Sequence, residues 1–176
     1  DVDGDLVGRE GPRAEVAYAD PEIPNMLLSK TMEVRRSQGL ALEVLDVALE
    51  AARAAVAAAE GRDMRIAVVI LDYTFTDVAV LRMDGAFAST VRVARAKAHT
   101  AVNFGTPTSA IAERVTPENK VALSTVEPRL MFVGGGVPLR SGDQLVGGLG
   151  VSGGSEADDV AVAEAAMTSI AHLLGT

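Results

Sequence analysis

From Ser37 onward, apolar residues in this chain recur every three to four positions. In "LALEVLDVALEAARAAVAAAE" the spacing of Leu42, Leu45, Leu49, Ala52 and Val56 predicts an amphipathic helix with those residues as its inward stripe, and Gly61 offers its stop. The rhythm then changes. "RIAVVILD" (65–72) is a short β-branched run suited to a central strand, and "DVAVLRM" (77–83) is its expected hairpin partner. Asp84-Gly85 signals a turn, after which Phe87, Val91, Ala94, Ala98 and Ala101 line up as one apolar helical stripe. Residues 105–128 form a long connection, with a short helix expected over 108–114; such a connection is more often functional or interfacial than idle. Beyond it, "RLMFVGGG", "VPLRS" and "QLVGGLGVS" are each expected to give a strand, the last two joined by a turn at Ser141-Gly142-Asp143. Glycines thin the last strand for close backbone approach. Ser155 and Asp158 then stand at capping-box spacing ahead of a final helix running to Gly175.

Helix, two strands, helix, connection, three strands, helix is the order of an antiparallel sheet flanked by helices, not of alternating βαβ units. Residues 1 to 29 stand apart: they hold Pro12, Pro21 and Pro24, show no periodicity, and carry acidic residues in excess over Arg9 and Arg13. The expected division is an acidic arm over 1–36 and one domain over 37–176. The arm is either extended or laid along another subunit through Ile23, Met26, Leu27 and Leu28.

Composition narrows the function classes. The chain has 176 residues, enough for one domain with a real core. Apolar residues make up 48% and aromatics only 3%, so the core is built from Ala, Val, Leu and Ile, and a base-stacking platform is not expected. A formal charge of -8 opposes binding to nucleic acid. With no Cys there is no disulfide, thiolate metal site or cysteine nucleophile. No apolar run approaches the ~20 residues that span a bilayer. No membrane partner is therefore expected, and a cytoplasmic location is favoured with secretion left open.

The chemistry-bearing residues concentrate in "RMDGAFASTVRVARAKAHTAV" (82–102). At 100° per residue, Arg92, Arg95, His99 and Asn103 share one side of the helix, while Lys97 lies on the opposite flank with Thr90, Thr100 and Phe104. Lys97 and His99 therefore point apart. Other motifs fail on context. "GLGVSG" (148–153) matches G-x-G-x-x-G, but no further strand with an acidic residue about 20 positions on follows it. No G-x-S-x-G is present, and His99 and His172 sit on different helices without carboxylates at ligand spacing, so no metal site is expected.

Taken together, "RMDGA", "ARAKAHTAVNFGTPTSAIAE" and "VGGGVPLRSGDQLVGGLGVSGGSEADDVAVAEAA" resemble the GlcG/HbpS-like family of haem-degrading or haem-binding domains, over residues 40 to 174. The C-terminal domain of PduO-type corrinoid adenosyltransferases is of the same kind. The resemblance implies an α/β (α+β), profilin-like fold: a five-stranded antiparallel sheet with helices on both faces. It also implies homo-oligomers, commonly up to octamers, and haem as a cofactor in some members. Two departures from the family pattern lie near the second helix and imply an altered ligand preference. "DYTFTD" stands where the family has Asp and a Gly-containing turn, and His99 stands where an aromatic or another residue is frequent.

The leading expectation is a small-ligand-binding protein for haem or another planar, carboxylate-bearing molecule, with haem degradation as an associated activity. Thr100, Lys97, His99 and Arg82 are its expected cofactor-binding residues, Thr100 being the nearest match to the family's haem-contacting threonine. A second expectation is a cofactor-independent enzyme acting on a small organic acid, with Lys97 as acid/base or cation and Arg82 holding the carboxylate. A third is a structural assembly subunit. Of the helix residues, Lys97 is preferred to His99 as the functional group, because its long stem can be buried while its charge reaches a sheltered pocket. The alternative role for Lys97 is a fold-stabilising pair with a buried carboxylate such as Asp72 or Asp84.

Overall fold

A computed structural model describes residues 44–174. The expected arm (1–36), Leu42 and the stop at Gly175 lie outside the described residues. The element order is α1 (Val44–Glu60), β1 (Ala67–Asp72), β2 (Asp77–Arg82), α2 (Thr90–Phe104), α3 (Thr108–Arg114), α4 (Pro117–Val126), β3 (Gly136–Ser141), β4 (Gln144–Ser152) and α5 (Glu156–Leu174). The strands form one antiparallel sheet in the order β2-β1-β4-β3.

β1 is buried along almost its whole length because it faces helices on both sides. Its side chains alternate. Val68 and Ile70 join Leu149, Val151, Ile170 and the alanines of α1 in one core. Ala67, Val69 and Leu71 pack against Ala94, Ala98 and Val102 of α2 in a second. The protein is thus α+β with helices on both faces of the sheet.

Two expectations need correction. Among the described residues the sheet has four strands, not five: 129–135 forms no strand. Several of its backbone N–H groups find side-chain partners instead of a ladder, while the Gly135 carbonyl accepts from the Val151 N–H of β4 at 2.8 Å. The Met131 N–H donates to Thr100 Oγ1 at 2.8 Å and the Gly134 N–H to Glu156 Oε1 at 2.6 Å. Gly135, at φ 108°, leaves extended geometry altogether.

The inward stripe of α1 is also rotated by roughly one residue step, about 100°, from the expected one, the two sharing Ala52. Ala48, Ala51, Ala52, Ala55 and Ala59 are buried, whereas Leu45 is 47% exposed. Small side chains let α1 come close to its neighbours, and that close packing outweighs the larger transfer energy of the leucine face.

The opposite helix uses the same device more strongly. At Gly150 of β4 an added Cβ would collide with the carbonyl of Ala94 and the amide of Ala98, and at Gly148 with the side chain of Val102. Main chain lies directly against main chain here. α2 is consequently seated hard on the sheet, with its long polar residues forced to its two edges. No described helix is long and apolar enough to cross a membrane.

Candidate ligand-binding site

The two edges of α2 have different fates. On the edge facing α5, Lys97 is 1% exposed and its Nζ meets Asp159 Oδ2 at 2.6 Å. The other oxygen of Asp159 accepts from the Gly154 N–H at 3.0 Å. Lys97 thus has the buried carboxylate partner that its fold-stabilising alternative calls for, but it is Asp159, 62 residues away, and not Asp72 or Asp84. Thr100, fully buried, donates to the Ala96 carbonyl at 2.8 Å and accepts from the Met131 N–H at 2.8 Å. Both side chains on this edge are hydrogen-bonded within the fold.

The opposite edge is open. Arg92, Arg95, Ala96 and His99 form one wall of a cavity of about 280 Å³, completed by Leu71, Phe75, Pro128 and Arg129. His99 is only 5% exposed, and its Nδ1 is buried with no hydrogen-bond partner among the described residues. A buried polar atom left unpaired costs about 1–3 kcal/mol, so this one calls for a reason. Burial pushes the imidazole pKa below its usual value; the Arg129 cation adds to this and Glu127 opposes it. The ring is accordingly neutral at pH 7. Sequence spacing groups His99 correctly with Arg92 and Arg95; the ring is covered by Phe75, at a centroid distance of 4.6 Å and an interplanar angle of 34°.

Phe75 reaches His99 from the β1–β2 turn, and its backbone is unusual. Asp72 Oδ1 organises that turn by accepting from the Thr74 and Thr76 N–H groups and the Thr74 hydroxyl. The Thr74 hydroxyl, as the main influence, holds the Asp72 carboxyl below its ordinary pKa. Phe75 then takes φ 66°, the left-handed position that a three-residue hairpin loop normally gives to glycine. For a bulky residue this is a genuine outlier and costs about 1–2 kcal/mol. The two departures from the family pattern, "DYTFTD" and His99, therefore meet at one point in space.

Charge around the cavity is nearly balanced. Arg95 holds Asp77 through Nε to Oδ1 and Nη2 to Oδ2, both at 2.9 Å. Arg129 holds Glu127 at 2.8 and 2.7 Å, and those contacts bring the Glu127 carboxyl down to about 2. Arg92 makes no ion pair among the described residues and lies exposed at the rim. The arrangement offers an aromatic face, a neutral imidazole and one uncompensated cation.

Arg82 is elsewhere. It pairs with Ala67 at one end of the β1–β2 ladder while Leu71 and Asp77 pair at the other, roughly 13 Å along the strand. Its Nη1 donates to the Ala86 carbonyl at 2.7 Å and steadies the Asp84-Gly85 turn. The expected site residues Arg82, Lys97, Thr100 and His99 thus do not converge on one cavity. Sequence reasoning did not single out Phe75 or Arg129 as site residues; a bulky residue where the family has glycine was the available signal for the first.

A family model described as haem-degrading protein HbpS-like matches residues 44–168. The chain belongs to this HbpS-like family. Among curated proteins, the corrinoid adenosyltransferase PduO of Citrobacter freundii is 34% identical over 120 residues, which is 67% of this chain but only 36% of that protein. The chain therefore corresponds to about a third of the length of that relative. Among solved structures, a PduOC–haem complex has a TM-score of 0.69 at 32% identity and covers 74% of this chain and 96% of its own. A double mutant of HbpS from Streptomyces reticuli has a TM-score of 0.66 at 35% identity, covering 72% and 85%. Haem is thus part of a solved complex of a similar fold.

Proposed function

We propose that this HbpS-like chain is a small-ligand-binding protein, and that it receives a planar, carboxylate-bearing ligand of the haem type at the His99 cavity. One observation carries the reading: a neutral imidazole, its Nδ1 buried with no partner among the described residues, faced by an aromatic ring. A neutral histidine is the form that ligates metal, and a guanidinium is a good partner for a propionate. Its family and the haem complex of a similar fold support haem as the first ligand to try. The donor set fits haem, with His99 as the group for the iron and Arg92 for a propionate. Bound there, haem would supply redox chemistry that these residues lack. Lys97 and Thr100, with their bonds already made inside the fold, are assigned to support of α2.

Titration with haem followed at the Soret band tests this. The band should shift and saturate with the unaltered protein, fail to do so with His99→Ala, and persist with Thr100→Ala. Equal binding by His99→Ala would remove His99 from the site.

A further inference from the structure

The His99 cavity is half-open, and its sheltered part is small beside the ligand that the family suggests. A cavity of about 150 Å³ is enough to hold benzene, whereas ligand pockets for larger molecules run from about 300 to 1,000 Å³. The His99 cavity, at about 280 Å³, has room for one aromatic ring and a substituent, or two fused rings. The four pyrrole rings of haem would lie mostly outside it.

Charge gives a second and independent limit. Arg95 and Arg129 are each matched by a carboxylate in two-pronged contact, and His99 is neutral, which leaves Arg92 as the one cation at the rim without a partner among the described residues. A ligand with a single negative charge balances that, whereas a second carboxylate would meet no unmatched cation among the described residues of the cavity and would stay in water.

The third observation is the strained turn. Phe75 sits at φ 66° and remains 39% exposed, so the fold carries a left-handed phenylalanine without burying it. Strain held at a solvent-facing aromatic points toward a contact that is made with something else.

From size, charge and the placed ring we infer that the His99 cavity is a binding site for a one- or two-ring aromatic monocarboxylate, with the ring against Phe75, the carboxylate at Arg92, and the His99 imidazole hydrogen-bonded to the ligand. This rests on the reading that the His99 cavity is the ligand site, and narrows it. Its volume suits a ring system of this size, and its one unmatched cation favours one carboxylate over two. Because the unpartnered Nδ1 is itself fully buried, the His99 ring turns to make this bond.

The test uses benzoate, with phthalate and haem as comparison ligands, followed by calorimetry and by the NMR signals of the two histidine rings. Benzoate should saturate at one per chain and move the His99 ring signals while leaving those of His172 in place. Phthalate should bind at least tenfold more weakly. Arg92→Met, which keeps the stem, and Phe75→Gly, which suits the backbone at that position, should each weaken benzoate tenfold or more in proteins whose circular dichroism is unchanged. Absence of any benzoate effect on His99 at millimolar concentration overturns the inference, as does equal affinity for phthalate or for Arg92→Met. If haem then binds in a His99-dependent manner, the broader reading stands while this one falls. If neither ligand touches His99, both fall. Benzoate binding without haem binding upholds the aromatic-acid site and removes haem.

Discussion

Phe75 and Lys97 show how a single residue can be out of place in opposite senses. Phe75 occupies a position that suits glycine, so replacing it should expose the backbone cost directly. Phe75→Gly and Phe75→Ala lose the same ring contact with His99, but only alanine keeps a Cβ at φ 66°. The glycine variant should be the more stable of the two by about 1 kcal/mol in urea unfolding. Equal stabilities would mean the turn relaxes and holds no strain. Lys97, by contrast, is a cation where apolar contacts are expected, and it is tolerable there only because Asp159 and the Gly154 N–H complete its surroundings. Lys97→Met leaves Asp159 as an unpaired buried charge and should cost about 3–5 kcal/mol, much of it recovered when Asp159→Leu is added. A Lys97→Met protein of ordinary stability that no longer binds ligand would restore the lysine to the site. Helical geometry was enough to separate the flanks of Lys97 and His99 in the sequence. The identity of the buried partner was not legible, because a contact across 62 residues leaves no periodic trace.

At the level of elements, strand and helix positions followed from local pattern, and errors arose where tertiary contacts took over. β1 reads as a continuous β-branched run because both of its faces meet helices. The turn at Gly142, with φ 55°, reads from Ser-Gly-Asp. Helix α4 was missed although Thr116 and Pro117 give a cap and a first-turn proline; the Thr116 hydroxyl accepts from the Asn119 N–H. The α1 stripe was misjudged because leucine outweighs alanine in hydrophobicity, whereas close approach to the neighbouring layer favours the smaller side chain. Glycine in β4 is the clearest case of sequence anticipating packing. An alanine at Gly150 would press a methyl group into the backbone of α2, which cannot rotate aside as a side chain can. Gly150→Ala should destabilise by about 3 kcal/mol, the upper part of the range for overpacking, and should also loosen the helix that carries His99. A loss under about 0.5 kcal/mol, within the usual effect of surface changes, would show that α2 is not held by this contact.

Across the whole molecule, the depressed pKa values all act on the acid side. Asp72, Glu118, Glu127 and His99 each titrate below their ordinary values in the folded protein. For such groups the unfolded chain binds protons first, so the stability they contribute is full above the unfolded pKa and declines as pH falls below it. The carboxylates act only below about pH 4, whereas the decline from His99 begins near pH 6.5, where unfolded histidine titrates. The acidic character of the chain complicates a direct reading, since its net charge of -8 shrinks on acidification and relieves self-repulsion over the same range. A difference between variants removes that shared background. His99→Phe keeps an aromatic ring against Phe75, deletes the titrating group and removes the unpaired buried nitrogen. It should therefore be more stable than the parent by about 1 kcal/mol at pH 7.5, through loss of an unsatisfied polar atom. That advantage should widen from pH 6.5 to pH 5 as the parent histidine resists protonation, and ligand binding should be lost at every pH. Melting curves of the two proteins across that range check the sign. A gap that stays constant with pH would mean His99 protonates freely in the folded state and is not sheltered by the cavity. A gap that widens while binding disappears would show that the buried imidazole is retained for its ligand and against the stability of the fold.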